Sequence, residues 1–500
     1  MSQATATTQN AQSDRPTFDS LDPRNGDVIA SYPIEGAEQV AAAVARARQA
    51  SVGWAALGFE GRAKVLAAWR RRLVSKIDEL ASVISRETGK PTDDALLELV
   101  LTVDHLAWAG KNAKRVLKER GVSAGLLMSN QKATVSYPPF GVVGVIGPWN
   151  YPVFTPMGSI AYALAAGNAV VFKPSEYTPG VGAWLVDSFA AVAPDPSVFR
   201  LLTGLGETGA ALCRSGVDKL AFTGSGATGR RVMAACSENL TPVLIECGGK
   251  DPLIVDSDAD LAAAADAAVW GGMSNAGQTC VGVERVYVVD SVADEFLDLV
   301  RDKAAALHSG GQAGADFGPM TMPSQVDVVS GQVRDAIAAG ARAVVGGVES
   351  VRAPFIEPIV LADVPETSTA ITQETFGPLL TVNRVPDVDE AVRRANATSY
   401  GLGASVFSKR NGRRIAEQLR CGMVAVNGVI AFAGIPSLPF GGVGESGFGR
   451  IHGDDGLREF ARPHSIASQR FKPPIALTTF GRGDKAMPRT LKLVKLLYGR

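Results

Sequence analysis

The run Ser274-Asn275-Ala276-Gly277-Gln278-Thr279-Cys280 places a cysteine among small and polar residues, just before the apolar β-type run Arg285–Val289. A structural cysteine sits among apolar neighbours, whereas a nucleophilic one needs open backbone and hydrogen-bond donors around its sulfur. Two other segments supply what such a sulfur lacks. Ile245-Glu246-Cys247-Gly248-Gly249-Lys250 offers a carboxylate, and Gly147-Pro148-Trp149-Asn150-Tyr151-Pro152 offers a side-chain amide. A nucleophile, a base able to activate water and a donor for a negative oxygen suit acyl chemistry through a thioester. The remaining cysteines, Cys213, Cys236, Cys247 and Cys421, read as packing residues.

The elements that must position these groups alternate between two types. From Ala37 to about Ala109 the chain is Ala-rich, with Leu, Val and Ile at three- and four-residue spacing, which predicts helices. Apolar β-rich runs then recur between helical stretches at 142–146, 169–172, 197–202, 219–222 and 242–245. The alternation restarts after Gly249, at 252–255, 285–289, 342–346, 381–385, 404–407 and 423–426. Each set predicts a doubly wound, mostly parallel sheet. Lys132–Tyr137 alternates as a strand, and Arg462–Phe471 is a late strand candidate.

Bulk properties exclude several classes. Five hundred residues exceed one core and predict two or three domains. A 46% hydrophobic and 20% charged composition describes a globular protein, and a formal charge of zero argues against a nucleic-acid partner. Five cysteines without CxxC spacing predict a reducing cytoplasm, and four scattered histidines predict no metal site. The polar first eighteen residues read as a disordered lead without a signal-peptide core.

Seven landmarks come in an order that resembles the NAD(P)-dependent aldehyde dehydrogenases, in particular their broad-substrate, class 3-like branch. They are Gly147–Asn150, Phe172–Glu176, Phe222–Ser225, Glu246–Lys250, the Cys280 segment, Glu374–Pro378 and Pro439–Gly442, within a likeness running from about residue 20 to about 470. The resemblance implies an α/β fold with a Rossmann-like cofactor domain (19–126 and 144–247) and a second α/β catalytic domain (248–445). It also implies a small β oligomerisation arm (127–143 and 446–471), in which the late strand pairs with the strand near 132–140 of a homo-oligomer, dimer or tetramer.

Gly-x-Gly-x-x-Gly occurs three times, at 204–209, 224–229 and 442–447, so the pattern alone is weak. The first two follow a strand and open a helix, as a phosphate site requires. Neither has the usual ribose-binding acid about twenty residues on. Glu176, three residues past Lys173 and beyond a buried strand, supplies that carboxylate, and it would repel a 2′-phosphate; NAD is therefore favoured over NADP. The resemblance assigns Trp149 and Ser225 to the pyrophosphate, and Glu374 and Phe376 to the nicotinamide ribose and ring. Gly206, Thr223 and Gly224 complete the implied cofactor set.

On that reading Cys280 attacks an aldehyde, the Asn150 amide and the Cys280 N–H hold the oxyanion, and Glu246 activates the water that hydrolyses the thioester. The carboxylate at Glu246 favours release of a free acid over transfer to coenzyme A. Trp108, Phe154 and Phe432 are expected to line an apolar tunnel, with Val429, Ile430 and Ile435 from a loop without charge. Lys111, Lys114 and Arg115 leave a carboxylate-bearing semialdehyde, such as succinic semialdehyde, open. Outside this class, a silent cofactor-binding scaffold would have no need of Cys280, Glu246 and Asn150 together, and a cysteine hydrolase would have no use for Lys173 and Glu176. The final 31 residues hold eight basic residues and one acidic, a local charge of +7. They form a basic amphipathic tail (472–500) whose last part, 488–500, suits either peripheral contact with an anionic membrane or docking across a subunit.

Overall fold

The computed structural model describes residues 15–499 apart from 313, 474 and 476. The described residues up to Val116, with Pro139–Ala461, form one compact unit; Leu117–Pro138 and the residues from Arg462 onward form another. Most of the expected lead lies outside the described residues, but its end does not, because Thr17–Leu21 is a strand paired antiparallel with Val28–Pro33.

The larger unit holds two large sheets beside two-stranded ribbons. In the first, five parallel strands lie in the order Val243–Cys247, Lys219–Gly224, Val142–Ile146, Ala169–Lys173, Phe199–Leu201. These runs are Val-, Ile- and Phe-rich without polar alternation, as strands covered on both faces must be, and Ala169–Lys173 is buried throughout. Chain order reverses between Val142–Ile146 and Lys219–Gly224, which opens a ligand crevice beyond their carboxyl ends. The sixth strand, Gly447–Phe448, runs antiparallel on the outer edge, with Gly447 opposite Glu246.

Three expected boundaries shift, the first because residues 139–143, expected in the arm, lie in the larger unit, where Val142 opens a strand of the first sheet. Residues 446–461 belong to the larger unit rather than to the arm, because a Cβ at Gly447 would overlap the Ile245 carbonyl and only glycine lets the strands meet there. The third glycine fingerprint is thus a packing device. Residues 117–126, expected in the cofactor domain, fall in the smaller unit, since Arg120–Val122 pairs with Gln131–Ser136.

The second sheet has seven strands, in the order Arg342–Val345, Ile359–Ala362, Leu379–Val385, Val283–Val289, Asp251–Val255, Gly403–Phe407, Met423–Val426. All neighbours are parallel except the first pair. The predicted helical stretch becomes four helices, Ala37–Ala56, Gly58–Ser75, Ile77–Thr88 and Thr92–Leu117. In the smaller unit His464–Gln469, Gln131–Ser136 and Arg120–Val122 make a three-stranded antiparallel sheet.

Candidate active site

The sequence places Cys280 in a constrained loop. After the helix Leu261–Met273, Asn275, Ala276 and Gly277 take consecutive left-handed conformations with φ of 53°, 56° and 68°. Left-handed backbone costs a non-glycine residue about 1–2 kcal/mol, so surrounding contacts must hold the turn. Gln278 provides them: its amide donates to the Asn275 carbonyl (2.9 Å), and its Oε1 accepts from Thr321 N (2.8 Å). Thr279 Oγ1 and the Tyr151 hydroxyl share a 2.9 Å hydrogen bond. Gly249 lets the opposing chain approach, since a Cβ there would lie 3.0 Å from the Cys280 carbonyl.

Glu246 ends the strand Val243–Cys247, and its carboxyl reaches the same spot. Oε2 accepts from Thr223 Oγ1 (3.1 Å), while Oε1 is buried without a partner. Burial pushes its pKa up to about 7, against the opposing hydrogen bonds from Thr223 and the Cys280 thiol. Burial first, then the neighbouring Glu246, Asp251 and Glu374, hold the Cys280 thiol well above its ordinary value. The resting pair is a protonated thiol beside a carboxyl poised near neutrality.

Asn150 comes to this pair from the loop after Val142–Ile146. One N–H of its amide donates to the Gln278 carbonyl (2.9 Å), which fixes the amide plane and leaves its second N–H for another acceptor. Lys90 Nζ donates to the Asn150 carbonyl (2.6 Å), and Glu98 Oε1 accepts from Val153 N (2.7 Å) and Phe154 N (2.9 Å). Lys90 and Glu98 pair at 3.3 Å, both buried. Sequence reasoning missed both residues; nothing local in Gly89-Lys90-Pro91 or in the helix marks them.

A second buried pair holds the opposite wall. Lys250 Nζ lies 2.5 Å from Glu284 and 2.8 Å from Thr375 Oγ1, and Glu284 accepts from Thr375 N and Phe376 N. Phe376 is thereby held at a φ of 51°. This loop carries Glu374, whose pKa burial and then Glu284 push up to about 8. Its Oε1 is buried without a partner and faces Gly248, where a Cβ would overlap it.

Between these walls runs a cleft of about 630 Å³ lined by Trp149, Lys173, Glu176, Gly206, Thr223, Gly224, Ser225, Glu374 and Phe376. Two helices point their N-termini into it, Gly206–Arg214 and Gly226–Ser237, the second capped by Ser225. Such paired N-termini suit a pyrophosphate. Lys173 is buried, which lowers its pKa, and sits 3.9 Å from the half-exposed Glu176. Trp149 meets Phe376 edge-on with centroids 5.5 Å apart. Orphaned Glu374 Oε1 and a Lys–Glu pair at the far end are what two ribose diols could satisfy, so a nicotinamide dinucleotide fits these residues. Arg231, also on this wall, was not anticipated.

On the other side of Cys280 lies a smaller pocket walled by Leu97, Leu101, Phe154, Trp270, Ile430, Phe440, Ile451 and His452. His452 meets His105 at a tilt, 4.0 Å between centroids, and burial keeps both well below the usual histidine range, so neither is a cation. Phe154 stands where expected, but two predicted tunnel residues do not. Trp108 stacks on Tyr162 (5.9 Å), and Phe432 is buried against Phe440 (6.4 Å) and below Gly403. Helix rotation and loop packing turn both away from the pocket. Lys114 pairs with Glu60 and Arg115 with Asp454, both exposed, so neither guards this pocket. Its charged lining residues among the described residues are Asp94, Glu98 and Glu246.

Cys280 and Glu246 line both cavities, so nucleophile and base stand where the two meet. No group of three or more His, Cys, Asp or Glu among the described residues is placed to hold a metal ion.

Comparison with known proteins shows what the chain is similar to. A sequence model described as Aldehyde dehydrogenase family matches residues 9–466. A 4,4'-diapolycopene aldehyde oxidase of Methylomonas sp is 38% identical over 97% of this chain and 92% of its own. A Mycobacterium ulcerans (strain Agy99) protein, provisionally named a succinate-semialdehyde dehydrogenase [NADP(+)] 2, is 37% identical over 93% of this chain and 91% of its own. The crystal structure of an NAD-dependent aldehyde dehydrogenase from Sinorhizobium meliloti superposes with a TM-score of 0.88 at 31% identity, covering 93% of each chain.

Proposed function

The chain belongs to the aldehyde dehydrogenase family of NAD(P)-dependent oxidoreductases, and on that premise we propose that Cys280, Glu246 and Asn150 oxidise an apolar aldehyde to its carboxylic acid. The observation that carries this reading is the position of Cys280 and Glu246 at the junction of the dinucleotide cleft and the apolar pocket.

Glu246 takes the thiol proton as Cys280 Sγ adds to the aldehyde carbon; burial raises the thiol as well as the carboxyl, so formation of the C–S bond, rather than a free thiolate, draws the proton across. The free N–H of the Asn150 amide and the Cys280 backbone N–H receive the resulting oxyanion. The bound dinucleotide supplies the hydride acceptor. Trp149 and Phe376 shield the junction from water on the cleft side. Once the thiol's proton has left Glu246 for solvent, the carboxylate removes a proton from the water that attacks the thioester, and cleavage of the C–S bond releases the acid and Cys280 as a thiolate, which takes the proton back from Glu246.

Glu176 at the ribose end favours NAD over NADP in this reading, although several relatives carry NADP in their names. The pocket favours an uncharged apolar aldehyde, of the kind named for the Methylomonas protein, over a carboxylate-bearing one, because its ionisable walls are acidic or neutral. The strand His464–Gln469, exposed along its length, would pair with another subunit in a homo-oligomer. Five free cysteines fit a reducing, cytoplasmic setting.

The test is formation of reduced nicotinamide by purified protein with NAD or NADP, against aliphatic, aromatic, polyene and carboxylate-bearing aldehydes. Turnover with apolar aldehydes that vanishes in Cys280→Ala is expected. A preference for succinic semialdehyde would overturn the substrate reading, and turnover surviving in Cys280→Ala would overturn the mechanism.

A further inference from the structure

The catalytic machinery leaves one feature unused, the basic segment that ends the chain. Its last element is the helix Ala486–Tyr498, with no buried residue. At 100° per residue, Met487, Leu491, Val494 and Tyr498 fall on one side, and Leu497 and then Leu493 extend the apolar arc to one flank, with Thr490 inside it. Arg489, Lys492 and Lys495, at steps of three, lie on the other flank, with Leu496 between Lys492 and Arg489. Leu491 is 52% and Tyr498 65% exposed, and the chain leading to the helix exposes Phe471 and Phe480 as well.

We propose that this tail is a docking surface for an anionic phospholipid bilayer, on which the helix lies with its Leu-rich face in the headgroup region. Three observations select that partner. From Arg470 onward the segment has a charge of +7, with Asp484 its single acid, complementary to anionic headgroups. The apolar arc is wide, interrupted by Thr490 alone, and nucleic acid would leave it uncovered. No helix among the described residues is long and apolar enough to cross a membrane, so the fitting mode is in-plane. The partner also matches the apolar-aldehyde reading, on which this last point rests, since such substrates collect in bilayers.

The experiment is flotation of the full-length enzyme with vesicles of phosphatidylcholine alone or mixed with phosphatidylglycerol, at low and high salt. The full chain should float with the mixed vesicles and release at high salt. Deletion of 486–500 should abolish flotation, and the triple variant Arg489→Gln, Lys492→Gln, Lys495→Gln should weaken partitioning on the order of a hundredfold. Leu493→Ser with Leu497→Ser should weaken it without changing charge. Absence of flotation, or equal flotation with neutral vesicles, overturns the proposal. So does a fall in oligomer mass on deletion without vesicle binding, which would assign the face to a neighbouring subunit, or tail-dependent RNA binding in place of vesicles. Flotation is read without turnover, so it can fail while the apolar-aldehyde reading stands, and the reverse.

Discussion

Lys90 and Glu98 form a buried ion pair whose two members grip opposite ends of one loop, Lys90 at the Asn150 carbonyl and Glu98 at the Val153 and Phe154 amides. Lys250 and Glu284 repeat the device on the facing loop, where Glu284 holds the Thr375 and Phe376 amides. A buried pair of this kind adds little net stability but is costly to break on one side. Its contribution here is position: one pair sets Asn150, the other sets Glu374 and Phe376.

Replacing Glu98 with Gln should therefore act on both stability and rate. Removing one charge of such a pair costs about 3–5 kcal/mol in denaturant melts. The kcat should fall while dinucleotide affinity, read by fluorescence titration, holds. In Glu284→Gln the order should reverse, with dinucleotide binding weakened first. Equal effects of the two substitutions on binding would refute the division of labour.

Glu246 predicts a pH dependence with a defined sign. Burial raises its pKa to about 7, so the ionised base required for hydrolysis forms only as pH rises through that value. Turnover should climb about tenfold per pH unit below 7 and flatten above. In Glu246→Gln the thioester should form slowly, since the thiol keeps its proton, and then persist, detectable by intact-protein mass. Stability follows the same shift: the raised carboxyl favours folding fully below its unfolded pKa, and that contribution is lost as pH rises through about 7. Glu246→Gln should thus melt higher than the parent at pH 8 and nearly with it at pH 4.

Glu176 should discriminate between dinucleotides. It is half-exposed and lies 3.9 Å from Lys173, so neutralising it leaves a cation facing the ribose. Glu176→Gln should raise the NADP-to-NAD ratio of kcat/KM by about tenfold, the size of a like-charge term near 1.4 kcal/mol. An unchanged ratio would place dinucleotide choice elsewhere on the cleft, with Arg231 next in line.

Gly277→Ala tests the loop that presents Cys280. Gly277 is left-handed, and a Cβ there would overlap the Gly377 carbonyl of the loop carrying Glu374. Both loops must then move apart. Turnover should drop at least as far as in Asn150→Ala, where loss of one oxyanion donor costs roughly 10²–10³. Thiol labelling of Cys280 should become faster. Slower labelling with full turnover would contradict the packing.

How much of this was legible in the sequence depends on whether a residue's role is set locally. Cys280, Glu246 and Asn150 stand in glycine- and proline-marked loops at strand ends, and their types disclose their chemistry in place. The sheets were legible because parallel strands are apolar runs. Lys90 and Glu284 were not, because a lysine beside Gly89 or a glutamate in Val283–Val289 looks ordinary until the fold buries it against another segment's amides. Trp108 and Phe432 were misplaced for the same reason: which way an aromatic faces on a helix or loop is decided by packing partners such as Tyr162 and Phe440, distant in sequence.

The pairing of Gly447 with Glu246 has a consequence for how the protein is made. The strand bearing Glu246 is the last parallel strand of its sheet, and its free edge is closed only by residues about two hundred positions later. Ser446 fastens the junction by donating to the Gly248 carbonyl. As the chain leaves the ribosome, the first sheet must wait with Val243–Cys247 unpaired on one side until the whole second sheet has been synthesised. An open edge of apolar strand invites pairing with other nascent chains. Chains truncated before Gly447 should therefore aggregate, and the reactive junction closes only when synthesis is nearly complete.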